Sequence, residues 1–119
     1  MQHMKISEVA RTLGARVLCG EQLLDEIEVD CAFGADLMSD VLAFTSGRTL
    51  FLTGMVTQHA LRTADVLDIR CIVFVRGKEV PPEIIAMAQE HDMALLHTDK
   101  TMFTACGVLY SAGLRSTGG

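Results

Sequence analysis

Three short stretches of this chain combine the residue types that hold an anion. They are Thr53-Gly54, Arg76-Gly77-Lys78 and the run from His97 through Thr98, Asp99 and Lys100 to Thr101. Arg76 offers a planar guanidinium fork suited to phosphate or carboxylate, and Lys78 and Lys100 add compact positive charges. Thr53, Thr57, Thr98 and Thr101 supply hydroxyls. Gly54 and Gly77 allow close backbone approach where helix N-termini leave N–H groups free. A nucleotide or another phosphorylated metabolite is the matching ligand class. The same residue types also serve as ordinary turn and cap residues. No GxGxxG or Walker A pattern accompanies them, since the residue five before Gly77 is Ile72.

Catalytic and metal-binding patterns are weaker. His59 falls early in one helical segment and His91 late in another, so both read as exposed cap residues, while His97 ends a strand at the candidate edge. No Ser/His/Asp or Cys/His constellation surrounds any of them, so no catalytic residue is assigned. Asp36 and Asp40 stand at helical i,i+4 spacing that suits Mg²⁺, but acids at a helix start ordinarily satisfy N–H groups and the dipole. Cys19, Cys31, Cys71 and Cys106 lack the close pairing of zinc or iron–sulfur sites and read as buried small hydrophobes. Neither a metal nor a cofactor is expected.

The elements that must position these residues follow from periodicity. Thr49–Thr53, Cys71–Val75 and Ala94–His97 are apolar, strand-like runs, each followed by a segment with helical spacing. Gln58–Leu67 places Leu61, Ala64 and Leu67 on one side. Pro81-Pro82-Glu83 opens a helix with Ile84, Ile85 and Ala88 inward, because proline and an acid suit the first turn. Met102, Phe103, Cys106, Leu109 and Tyr110 form the last helical stripe, which Gly113 stops. Consecutive βα units connect economically as a parallel sheet, whose ligands bind outside the carboxyl strand ends.

The N-terminal third is less regular. Ser7 is the expected cap of a helix through Leu13, closed by Gly14. Arg16–Cys19 and the alternating Ile27, Val29, Cys31 run read as strands, expected to pair as a hairpin or edge ribbon. Asp36–Phe44 reads as a brief helix capped by Asp36 or Ser39, with Leu37, Val41 and Leu42 inward. The tail from Arg115 to Gly119 is small and polar and is expected to be flexible.

Composition limits the function. The chain has 119 residues, half of them hydrophobic, which suits one domain spanning 1–119 with its core at about 4–114. Residues 1–47 carry three basic groups against eight acidic ones, and residues 48–119 carry seven of each, giving the net charge of −5. That balance argues against nucleic acid as a partner. No apolar run reaches the ~20 residues of a membrane helix, and no secretory signal opens the chain, so a cytoplasmic location is expected.

The segments Met4–Ala10 and Gly34–Ala43, the Cys71–Lys78 strand end, and Leu95–Thr98 with Met102-Phe103 resemble stand-alone DRTGG-domain proteins over roughly residues 4–114. More distantly, the last βα unit is similar to the N-terminal domain of HPr kinase/phosphorylase, which shares its fold with the first domain of MurF-type ligases. The resemblance implies a three-layer α/β/α domain with a mostly parallel sheet of about five strands. It also implies a regulatory or dimer-forming part, seen elsewhere fused to CBS domains or phosphotransacetylase, and for stand-alone members an accessory role near iron hydrogenases. The naming pentapeptide survives only as the fragment Gly47-Arg48-Thr49, echoed by Arg115–Gly119. Kinase activity is not expected, because the HPr kinase P-loop belongs to a separate domain.

The expectation is therefore a non-catalytic homodimeric regulatory module. It would bind a small anionic ligand through Thr53, Gly54, Arg76, Gly77, Lys78, His97, Thr98, Lys100 and Thr101. A ligand-free assembly protein docking on a metabolic complex is the alternative. A small phosphoester-acting enzyme using His97 or the Asp36/Asp40 pair comes third.

Overall fold

In the computed structural model, which describes residues 3–45 and 47–117, a mixed sheet lies between two helical layers. The chain runs β1 (Met4–Lys5), α1 (Ile6–Leu13), β2 (Arg16–Cys19), a 3₁₀ turn (Glu21–Leu23), β3 (Glu28–Val29) and β4 (Cys31–Gly34). It continues with α2 (Met38–Phe44), β5 (Thr49–Thr53), α3 (Gln58–Val66), β6 (Cys71–Phe74), α4 (Pro82–Glu90), β7 (Ala94–His97), α5 (Met102–Ser111) and β8 (Arg115–Ser116). The main sheet has six strands in the order β2-β7-β6-β5-β4-β8. All its neighbours are parallel except β2, which runs antiparallel to β7. β1 and β3 form a separate two-stranded ribbon.

The central strands read as continuous apolar runs because both of their faces are covered. Successive side chains go to opposite layers. Leu50, Leu52, Cys71, Val73, Ala94 and Leu96 pack toward α1 and α5. Phe51, Ile72, Phe74 and Leu95 pack toward α2, α3 and α4. Each such fully buried aliphatic or aromatic side chain contributes about 1.5–3 kcal/mol. The three-layer, mostly parallel architecture expected from the sequence is therefore present.

Several details differ from expectation. The sheet has six strands where about five were expected, because β2 and β8 extend its two ends. β2 makes no hairpin with the Ile27–Cys31 run. That run breaks at Asp30, whose N–H donates to the Arg48 carbonyl at 2.8 Å, so β3 joins β1 while β4 joins β5. β2 instead covers the open edge of buried β7, opposite Leu95–His97. The tail expected to be flexible is paired through Ser116 with β4, and the Thr117 N–H donates to the Ala32 carbonyl at 3.3 Å. Gly118 and Gly119 lie outside the described residues.

The helix ends also differ. Ser7 is inside α1, and its hydroxyl donates to Asp25 at 2.8 Å. Leu37, and neither Asp36 nor Ser39, occupies the N-cap of α2, which buries Met38 and Val41 and leaves Leu37 and Leu42 exposed. On α5 the buried stripe is Ala105 and Leu109, while Phe103 and Tyr110 face outward. His91 is the C-cap of α4, as its position suggested.

At the amino ends of the strands, Arg48 donates to Asp30 through Nε at 2.7 Å and Nη2 at 2.9 Å, with His3 Nδ1 at 2.5 Å from the same carboxylate. The Arg48 hydrogen bonds first, and His3 second, hold the Asp30 carboxyl down at about 2. Because the folded value is the lower, the stabilisation is complete above the unfolded value and is lost as pH falls toward the folded one. The difference in Tm between wild type and Asp30→Asn should therefore shrink as pH drops from about 5 to about 3. Two parallel Tm-versus-pH curves would rule out this clamp.

Gly20 closes β2 at φ 86, and a Cβ there would stand 2.6 Å from the Ala94 Cα and 2.8 Å from its Cβ. Neither backbone can retreat without breaking the β2–β7 ladder. Gly20→Ala should destabilise the fold by about 2 kcal/mol or more, from strain and overpacking together. An unchanged urea midpoint would show that β2 is not seated against β7 in this way.

Candidate functional site

Because β4, β5, β6 and β7 are parallel, their carboxyl ends open on one edge of the sheet. The antiparallel β2 begins at that same edge, which adds Arg16 opposite His97. The edge thus gathers Arg16, Arg76, Lys78 and Lys100 with Asp36, Glu79 and Asp99. It divides into two halves around the turn that follows β6.

The first half is built on Asp36. Its Oδ1 accepts from the Thr53 hydroxyl at 3.0 Å and from the Gly54 N–H at 2.8 Å, and Thr53 Oγ1 accepts from the Met55 N–H at 3.1 Å. These bonds fix the start of the β5–α3 loop, where Thr57 then caps α3. The other carboxylate oxygen of Asp36 faces Arg76 Nη2 at 3.8 Å. Arg76 lies across Gly54, whose missing side chain leaves the guanidinium its place. Both charged side chains are about half exposed, at 47% each.

Arg76 and Gly77 both have positive φ, 65° and 62°. For arginine this conformation is strained and is held by its surroundings. The Arg76 N–H donates to the Lys100 carbonyl at 2.8 Å and the Gly77 N–H to the Thr98 carbonyl at 2.9 Å. A Cβ on Gly77 would stand 2.8 Å from Asp99 Oδ1, the movable end of a side chain, so it is the positive φ that selects glycine here.

The second half is a chain of bonds across β2, β7 and the β6–α4 loop. Arg16 Nη2 lies 3.0 Å from His97 Nδ1, and the Lys78 carbonyl oxygen lies 2.7 Å from His97 Nε2. A guanidinium only donates and a carbonyl only accepts, so the two bonds are satisfied together by the tautomer with its proton on Nε2. Lys78 Nζ then donates to the Gly54 carbonyl at 2.8 Å, joining the two halves. Beside this chain runs an open groove of about 290 Å³ lined by Arg16, Leu18, Gly77, Lys78, Glu79, Val80 and His97.

All nine residues expected at the site lie at this edge, but not in equivalent roles. Thr53, Gly54, His97 and Thr98 are buried. Thr98 Oγ1 accepts from the Lys100 N–H at 3.3 Å, and Thr101 caps α5 by accepting from the Thr104 N–H at 3.3 Å. These hydroxyls shape the loops. Arg76, Gly77, Lys78 and Thr101 are exposed and Lys100 is half-buried, so the accessible groups are mainly cationic. His97 is 5% exposed with both ring nitrogens engaged, a position that holds the β7 end to β2 and the β6–α4 loop.

Two residues escaped the sequence reading. Asp36 looked like a helix cap, yet it anchors β5; its place one residue before Leu37 and the strand-end Thr53-Gly54 carried no local signal for that bond. Arg16 joined the edge only through the antiparallel docking of β2. The cysteines are free, and burial pushes the thiols of Cys71, Cys19 and Cys106 upward, as for inert packing residues. Among the described residues, no group of three His, Cys, Asp or Glu side chains is arranged to hold a metal, and no helix is long and apolar enough to cross a membrane.

The chain is similar in structure to the CBS and DRTGG domains of the regulatory region of Clostridium perfringens pyrophosphatase, crystallised with its activator diadenosine tetraphosphate. The TM-score is 0.70 at 16% identity, over 88% of this chain and 45% of that one, so this chain spans about half the length of its structural relative. At that identity the likeness establishes the fold. No curated protein matches the sequence. The DRTGG domain family matches residues 8–112, nearly the whole length. The chain belongs to the DRTGG domain family.

Proposed function

We propose that this protein is a non-catalytic regulatory module of the cytoplasm that binds a nucleotide di- or polyphosphate at the carboxyl edge of its sheet. Its contacts there are Arg76 and Lys100, positioned by Thr53, Gly54, Gly77, Thr98 and Thr101, with Lys78 and His97 bracing the loop between them. The observation that carries this reading is the state of Arg76. Its guanidinium lies on the Gly54 backbone at a strained φ of 65° and meets Asp36 only at 3.8 Å. An exposed pair at that distance contributes about 0–1 kcal/mol, so a phosphate displaces Asp36 at little cost.

Family membership supports a regulatory role, and the structural relative is itself a regulatory region holding a nucleotide activator. The engaged nitrogens of His97 support binding without turnover.

A second reading, assembly through self-association, is favoured by apolar side chains left outside the core. Leu37, Leu42 and Phe44 around α2, and Phe103 and Tyr110 on α5, are all at least half exposed. Phe44 packs against Phe33 with ring centroids 6.1 Å apart. A homodimer uses such surfaces, and the two readings are compatible. Light scattering at micromolar concentration should report twice the chain mass; a monomer there would remove the assembly reading and leave ligand binding standing.

The ligand reading is tested by thermal shift with adenine and guanine di- and triphosphates, acyl phosphates and diadenosine tetraphosphate. Stabilisation should appear with at least one and vanish in Arg76→Ala and in Lys100→Ala. Asp36→Asn keeps the acceptor for the Gly54 N–H and removes the competing charge, so affinity should rise by roughly tenfold at low salt. A shift that persists in both alanine variants would take these two residues out of the site.

A further inference from the structure

Among the described residues Arg16, like Arg70 and Arg115, lines a cleft without a carboxylate partner, which sets it apart from Arg48 and Arg76. Arg48 is matched by Asp30 and Glu28, and Arg76 faces Asp36. Arg16 has no carboxylate within ion-pair distance among the described residues; its partner is the uncharged acceptor nitrogen of buried His97. A guanidinium carries five N–H donors in a planar fork, and one bond to His97 leaves most of them unspent. His97 is in turn locked by the Lys78 carbonyl. Arg16 is therefore aimed and held, without being neutralised.

What it faces is the 290 Å³ groove between β2 and the loop that leads into α4. Lys78 also lines the groove, while its Nζ is held at the Gly54 carbonyl beyond the end of β5. Leu18 and Val80, both only partly buried, give the groove apolar walls. Glu79 is the one acid on the rim. A guanidinium at one end, apolar walls and a carboxylate suit a ligand with a single anionic end on a body of modest polarity. The volume lies just under the ~300–1,000 Å³ range of small-molecule pockets, which suits a small ligand body.

We propose that this groove is a binding site for a terminal phosphate monoester on a body no larger than a mononucleoside, with Arg16 as its principal contact. The site shares Gly77, Lys78 and His97 with the edge described above. It depends on Arg16, Leu18 and Val80, which the polyphosphate reading does not use, so the two can fail separately.

The test is a titration of the isotopically labelled full chain, followed by NMR, with adenosine 5′-monophosphate, inorganic phosphate and adenosine. The monophosphate should saturate and move the Leu18 and Val80 amide signals and the His97 ring nitrogens. Inorganic phosphate should bind more weakly, and adenosine should leave these signals in place. Arg16→Gln should weaken monophosphate binding by about tenfold or more, the scale of one charge-assisted bidentate contact. Val80→Glu, which alters only a loop side chain, should weaken it comparably, and Arg76→Ala should not.

Unchanged affinity in both Arg16→Gln and Val80→Glu overturns the proposal, as does a response confined to Arg76 and Lys100. Inorganic phosphate binding as tightly as the monophosphate overturns the assignment of ligand body to Leu18 and Val80. Failure of this titration with thermal shifts still lost in Arg76→Ala and Lys100→Ala would sink the groove alone. The opposite pattern would sink the polyphosphate reading alone.

Discussion

The strand Cys71–Phe74 is enclosed by helices on both faces and by parallel neighbours on both edges, and it has no polar side chain. A polar group within it would need a partner that the aliphatic layers cannot supply. Polar function is therefore displaced to the strand ends, where the backbone can turn. At the carboxyl end Val75 is still buried, and Arg76 is the first residue free to carry charge. The position of the cationic edge follows from that burial.

Enclosure also explains the strained turn. Beyond Phe74 the chain must leave the sheet at once to reach α4, yet its N–H groups still need partners. With φ positive at Arg76 and Gly77, those two N–H groups reach the Lys100 and Thr98 carbonyls. The β6 and β7 loops are thereby tied together. Lys78 ties the same loop to β5 and, through His97, to β7 and β2. A ligand that draws Arg76 or Arg16 toward itself acts on bonds that span four strands.

The parts legible in the sequence are those with a local cause. Cys71–Val75 declared itself a covered strand by apolar continuity, one residue longer than the observed Cys71–Phe74. Ala94–His97 read as a strand, and Pro81-Pro82-Glu83 marked a helix start that the structure places at Pro82. The edge itself was legible because parallel βα units share one polarity. What the sequence hid depends on distant partners. Nothing in Arg16–Cys19 says that it will run antiparallel beside β7, 76 residues later at the nearest register pair, Cys19 with Leu95. Nothing in Arg115–Ser116 distinguishes a loose tail from a sixth strand until β4 presents an open edge. Asp36 was misread for the same reason, since a carboxylate before a helix bonds its own first turn or a neighbouring strand with equal local logic.

The way the edge cations are held fits the regulatory reading proposed above. An active site commits its charged groups to a fixed constellation, with a base and an acceptor in reach of a reacting atom. Here Lys78 is bound to a carbonyl, Arg16 to an imidazole and Arg76 to a carboxylate at long range. Each is oriented by a partner weaker than a phosphate would be. Under the proposed reading such groups are placed for exchange, a ligand replacing one modest contact with a stronger one. Because those loops join β5, β6, β7 and β2, a ligand held at the edge as proposed would bear on bonds that span the sheet.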